Sequence, residues 1–146
     1  HIPLRRQRQM CIRDRMDTSE PSLLVIDDLL LSTNKAVVEM FILGSHHKQI
    51  SLFYLTQNLF PNCSMYRTMS NNAHYYVLFY NQRNFRQVHT LAHQIYVGKD
   101  VQRITNAYKR AGKQQRGFIV LSFAQGLPEE LTVVTDWWRP CPTVYL

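Results

Sequence analysis

Leu23-Leu24-Val25-Ile26-Asp27-Asp28 is an uninterrupted apolar run that ends in two carboxylates. A short continuous run of this kind, opening at Ser22 behind Pro21, is the pattern of a strand buried on both faces of a parallel sheet. Two adjacent carboxylates are costly to bury without a cation or hydrogen bonds. They therefore belong at the strand's carboxyl end, where an open α/β sheet presents its ligand site. Taken alone the pattern is also met by a helix N-cap followed by a surface acid.

The surroundings of the acid pair add a second part. Ser32, Thr33 and Asn34 are candidate N-caps for a helix from Lys35 to Leu43, which Gly44 ends. A second apolar strand, Ile50 to Thr56, then ends in Gln57-Asn58. In P-loop NTPases one acid at such a strand end orders Mg²⁺, and the next can polarise the attacking water. A neutral amide at the tip of the neighbouring strand can hydrogen-bond a γ-phosphate or that water without repelling either.

Further along, a loop over 58–72 carries one short helix near Tyr66 to Asn71, and His74 to Tyr80 reads as an aromatic-rich third strand. Phe85, Val88, Ala92 and Ile95 repeat at helical spacing. After Gly98, Asp100 is placed to cap a second helix lined by Val101, Ile104, Tyr108 and Ala111 and ended by Gly112. Gly117 to Phe123 is a fourth strand, and Leu131 to Thr135 a fifth on an edge. The alternation predicts an α/β fold with a mostly parallel sheet flanked by helices, the four main strands sharing one sheet.

The chain has 146 residues and is 45% hydrophobic, enough to bury a core in one domain. No window approaches the roughly 18 apolar residues of a membrane span, and the N-terminus has no secretory apolar core. The expectation is a soluble, intracellular protein with no membrane partner. Cys11, Cys63 and Cys141 are widely spaced and odd in number, against a disulfide frame or a zinc site. The net charge of +7 is uneven: +4 over residues 1–15 and +7 over residues 83–116, the remainder being acidic. Concentrated basic charge suits a polyanion partner, or a solvated helical surface.

The stretches Gly44-Ser45-His46-His47-Lys48-Gln49-Ile50-Ser51, Thr56-Gln57-Asn58-Leu59-Phe60, Arg67-Thr68-Met69-Ser70 and Asn72-Ala73-His74-Tyr75, together with the acid pair, resemble one group. It is the DNA-packaging ATPases of the FtsK–HerA superfamily, found in Polinton/Maverick elements and related double-stranded DNA viruses, the poxvirus-type enzymes among them. The likeness runs from about Leu23 to Leu131. It implies a RecA-like ASCE fold, ATP and Mg²⁺ as cofactors, and a homo-oligomeric ring that threads duplex DNA into a capsid. Asp27 matches the Walker B acid on Mg²⁺ and Asp28 the catalytic carboxylate, where many relatives carry Glu. Gln57 takes the sensor position, and Arg67 is the first choice for the trans-acting arginine.

The chain departs from that pattern in one respect. No G-x-x-x-x-G-K-[ST] occurs. Gly98-Lys99 runs into Asp100 and Gly112-Lys113 into Gln114, each without the earlier glycine. In the family this loop lies upstream of the Walker B strand, so residues 21–146 are expected to be the C-terminal part of the ATPase domain and inactive alone. Residues 1–20 read as an unstructured leader, with 1–15 resembling the Arg-rich peptides that translated adaptor sequence yields.

Arg86, Arg103, Lys109 and Arg110 are placed to track phosphates without reading sequence, or to line a subunit interface. His89 and His93 share an i, i+4 spacing, but no acid or thiol accompanies them, and a polar helix face is the plainer reading. Phe53, Tyr54, Tyr75, Tyr76, Phe79 and Tyr80 could stack on bases, although aromatics alternating within strands are more often core. Trp137 and Trp138 are expected to cap the sheet edge or meet a partner. The rival to a motor is a non-catalytic DNA-binding or assembly module, such as a decayed mobile-element relic. A non-packaging translocase of the same superfamily is the nearest enzymatic alternative.

Overall fold

A computed structural model describes residues 21–27, 35–39, 41–42, 50–61, 64–137 and 139–145. The chain forms two compact units: one reaches Gln57 and takes in residues 61–72; the other holds Asn58–Phe60 and Ala73–Leu146.

The first unit contains β1 (Ser22–Asp27), α1 (Lys35–Glu39), β2 (Ile50–Leu55) and α2 (Ser64–Asn71). The two strands run parallel, in register from Ser22 opposite Ile50 to Asp27 opposite Leu55. One face is covered: Ile26 and Ile50 are buried, and the Tyr54 ring lies 6.0 Å from that of Tyr66, one of two buried residues of α2. The other face carries Leu23, Val25, Phe53 and Leu55, all exposed. Double-sided burial of Leu23 to Ile26 is thus corrected to a one-sided strand. Successive side chains point to opposite faces, and among the described residues only one face meets a packing partner.

The second unit opens with β3 (Tyr75–Phe79), followed by α3 (Phe85–Ile95), α4 (Asp100–Ala111), β4 (Phe118–Ser122), β5 (Val133–Thr135) and β6 (Thr143–Val144). Its sheet has the order β3-β4-β5-β6 and is antiparallel throughout. The fold is therefore mixed α/β, but the expected single, mostly parallel sheet is corrected to a parallel pair and a separate antiparallel four-stranded sheet. The connections supply the reason. Among the described residues one α-helix, α1, lies between β1 and β2, the kind of crossover that a parallel pair requires. Two helices lie between β3 and β4, so the chain arrives at the end where β3 finished and must run back. Nor is β5 an edge: β6, two residues that carry no readable alternation, lies outside it.

The core of this unit joins Val88, Leu91 and Ala92 of α3, the buried face of α4, and Leu78, Ile119, Leu121 and Val133 of the sheet. The expected stripe Val101, Ile104, Tyr108 and Ala111 is buried, as are Val88 and Ala92. Each fully buried aliphatic side chain contributes about 1.5–3 kcal/mol. The turn from α4 to β4 is tight enough that a Cβ on Gly117 would overlap the Ala111 carbonyl oxygen. Asp136, at φ 56°, reverses the chain so that β6 returns beside β5.

Candidate functional site

Asp27 is the last residue of β1 and is exposed; its register partner Leu55 is the last of β2. Gln57 follows Leu55 by two residues and is also exposed. Parallel pairing brings the carboxylate and the amide-bearing segment out at the same end of the two strands. Asp28 lies outside the described residues. Arg67 is exposed on α2, in the same unit.

Mg²⁺ keeps several waters and takes one or two carboxylates plus substrate phosphates. The solvent-facing Asp27 carboxylate at the end of a parallel strand can serve as one such carboxylate. Among the described residues no group of three or more His, Cys, Asp or Glu side chains converges on a point. His89 and His93 are exposed on α3 with ring centroids 4.6 Å apart, edge to face. Cys141 is a free, exposed thiol.

The basic segment divides in two. Arg86, Lys109 and Arg110 are exposed. The Lys109 ammonium sits 5.3 Å from the centre of the Phe85 ring, so the start of α3 and the end of α4 share one end of the helical layer. Arg83, Lys113 and Arg116 are exposed in the segments that flank these helix ends. Cations in the last turn of α4 also complement its dipole.

Arg103 does not belong to this group, and its assignment to DNA is corrected. The residue is 8% exposed. Its Nε donates to the Tyr145 carbonyl, and its Nη2 donates to the Glu129 carbonyl at 2.9 Å and to Thr132 Oγ1 at 3.3 Å. The Glu129 carboxylate is 4.0 Å away. Its position off the Ile104 and Tyr108 stripe suggested an outward side chain, but α4 is buried over a wider arc that includes Thr105 and Ala107.

A second buried polar node, which no local sequence pattern marks, is Tyr108. Its hydroxyl donates to the Phe79 carbonyl at 3.0 Å and accepts from the Asn81 N–H at 2.8 Å. Burial pushes the phenol pKa above the ordinary value, partly opposed by the Asn81 bond and assisted by Tyr80.

The aromatic strand residues also divide. Tyr76 lies against the core, whereas Tyr75 and Phe79 are exposed. Trp137 is half-exposed and edge-on to Tyr75, with centroids 6.4 Å apart; Trp138 lies outside the described residues.

No helix among the described residues is long and apolar enough to cross a membrane. Compared with family models, curated proteins and solved structures, the chain has no match.

Proposed function

We propose that this chain supplies the metal-binding and sensor elements of an ATP-driven motor that moves double-stranded DNA into a viral-type capsid. The observation that carries the reading is the parallel register of β1 and β2, which leaves Asp27 and Gln57 at one carboxyl edge. Asp27 would hold Mg²⁺ beside the nucleotide phosphates, and Mg²⁺ there would neutralise charge developing on the transferred phosphoryl group. The Gln57 amide orients a water or a phosphate oxygen by hydrogen bonding while adding no charge. Asp28 draws the proton from that water, and Arg67 contributes positive charge across a subunit boundary of a homo-oligomeric ring. Arg86, Lys109 and Arg110 hold duplex phosphates without reading base sequence.

The test is turnover by a gene product that joins this chain to a phosphate-binding loop. ATP hydrolysis stimulated by duplex DNA is expected, and Asp27→Ala or Asp28→Asn should abolish it. Turnover that survives Asp27→Ala removes that carboxylate from the metal site.

A second reading, a non-catalytic DNA-binding or assembly module, rests on the exposed Arg86, Lys109 and Arg110, whose contact with phosphates needs no nucleotide. It predicts duplex binding that is indifferent to nucleotide and to Asp27→Ala.

A further inference from the structure

The antiparallel sheet has two unlike faces. One packs on α3 and α4. The other is set by the register: Tyr75, Val77 and Phe79 of β3 lie opposite Ser122, Val120 and Phe118 of β4, with Val134 and Val144 continuing the row outward. On this face exposure is confined to β3 and the far edge: Tyr75 is 51% exposed, Val77 46%, Phe79 63% and Val144 39%, whereas Val120, Ser122 and Val134 between them are buried. The rings are arranged in two groups. Phe79 lies 5.2 Å from Phe118 at one end, and Trp137 stands edge-on to Tyr75 at the other. At ~3.4 Å per strand residue, Tyr75 and Phe79 are about 14 Å apart.

We propose that the exposed β3 edge of this face, from Tyr75 and Trp137 to Phe79 and Phe118, is a stacking platform for single-stranded DNA. The proposal is independent of the ATPase reading and concerns the aromatic rings of the sheet, which adjoin the helix ends assigned to duplex through Arg83 and Arg116. Exposed rings offer π-faces that any base can cover, the sequence-tolerant mode of single-strand binding. Charge agrees with that occupant. None of the four strands contains a carboxylate. The Phe79 and Phe118 end is bordered in sequence by exposed Arg83, in the turn after β3, and exposed Arg116, in the turn before β4. A polyanion can therefore lie along the row with its phosphates toward cations and its bases on the rings. Deoxyribose suits the surface better than ribose. Among the described residues of the row, the Tyr75 hydroxyl, the Trp137 indole and the buried Ser122 hydroxyl are the only side-chain polar groups, so 2′-hydroxyls would be desolvated with few partners.

The experiment measures binding of the 146-residue chain to oligo(dT) of about a dozen nucleotides, within the usual single-strand site range, by fluorescence anisotropy. Tyr75→Leu and Phe79→Leu should each weaken binding roughly tenfold or more, because leucine keeps the apolar surface but removes the π-face. Phe79→Trp should bind as well as the wild type. Affinity for a blunt duplex should not respond to either leucine substitution, and oligo(rU) should bind more weakly than oligo(dT). Leucine variants that retain full oligo(dT) affinity would overturn the proposal. So would equal affinity for oligo(rU). A sheet-to-sheet dimer of two copies is the competing occupant: a sedimenting dimer that leucine variants preserve, with no oligo(dT) binding, would replace this proposal. Melting of each variant by circular dichroism accompanies the titrations, and a loss of binding counts only when the melt is unchanged. If Phe79→Leu does not fold, Tyr75→Leu at the other end of the row gives the same decision.

Discussion

The guanidinium of Arg103, buried in the first turn of α4, donates to the backbone carbonyl of Tyr145, 42 residues downstream. Together with its bonds to Glu129 and Thr132, this ties the helix to both the segment before β5 and the segment after β6. Arg103 thus serves the fold rather than a ligand. Arg103→Ala is expected to cost about 2–4 kcal/mol, because the charge-assisted bonds to the Tyr145 and Glu129 carbonyls disappear and a buried space is left, although Thr132 Oγ1 still donates to Glu129. Urea denaturation checks this. Arg103→Glu should be at least as damaging, whereas Arg110→Glu on the exposed face should shift stability by no more than about 0.5 kcal/mol.

Duplex affinity should follow the exposed basic residues alone. Arg86→Glu and Arg110→Glu are each expected to weaken binding and to reduce the slope of log affinity against log salt by about 0.9 for every phosphate that is no longer neutralised. A salt titration of wild type and variants reads both quantities. If the same substitutions leave affinity and slope unchanged but shift the oligomeric state, these residues meet a neighbouring subunit.

Tyr108 couples the fold to alkaline pH. Its phenol pKa is raised above 10.0 in the folded chain, chiefly by burial. The folded state therefore holds the proton more tightly than the unfolded state. The stabilisation is fully present below the unfolded value of about 10 and is lost as pH climbs from there through the folded value. Tyr108→Phe should remove this component of the alkaline loss. At neutral pH it should cost about 1–2 kcal/mol, because the Asn81 N–H and Phe79 carbonyl lose their partner. Denaturant melts at pH 8 and at alkaline pH, in both proteins, test the prediction.

Gly117→Ala should be among the most damaging small substitutions in the second unit. A Cβ would occupy the space of the Ala111 carbonyl oxygen, and backbone rather than a flexible side chain must give way. The expected loss exceeds about 2 kcal/mol, read as a lowered denaturation midpoint with an unchanged slope.

ATP hydrolysis by this chain alone should be undetectable, since it has no loop to supply phosphate-binding amides and lysine. In a product that includes such a loop, Asp27→Ala should abolish turnover, a loss of several kcal/mol of metal-derived stabilisation, on the order of a thousandfold or more. Steady-state kinetics with and without duplex DNA provide the check.

Local pattern was sufficient for the elements themselves. The apolar run ending at Asp27, the helical residues Lys35–Glu39 and the helical stripes of Val88 and Ile104 are set by neighbours within a few residues, and periodicity reads such neighbours directly. The placement of Asp27 and Gln57 at one strand end was legible for the same reason, because a strand–helix–strand pattern implies a parallel return. What only the tertiary structure decided depends on distant partners. The sequence Tyr75-Tyr76-Val77-Leu78-Phe79 is apolar on both faces, so nothing within it tells which face the helices cover; pairing with β4 and packing of α4 leave Tyr75 and Phe79 in the open. Arg103 is a charged residue in a basic helix by every local measure. It is buried because carbonyls of Glu129 and Tyr145, folded in from the far end of the chain, hydrogen-bond its guanidinium and offset the cost of removing it from water.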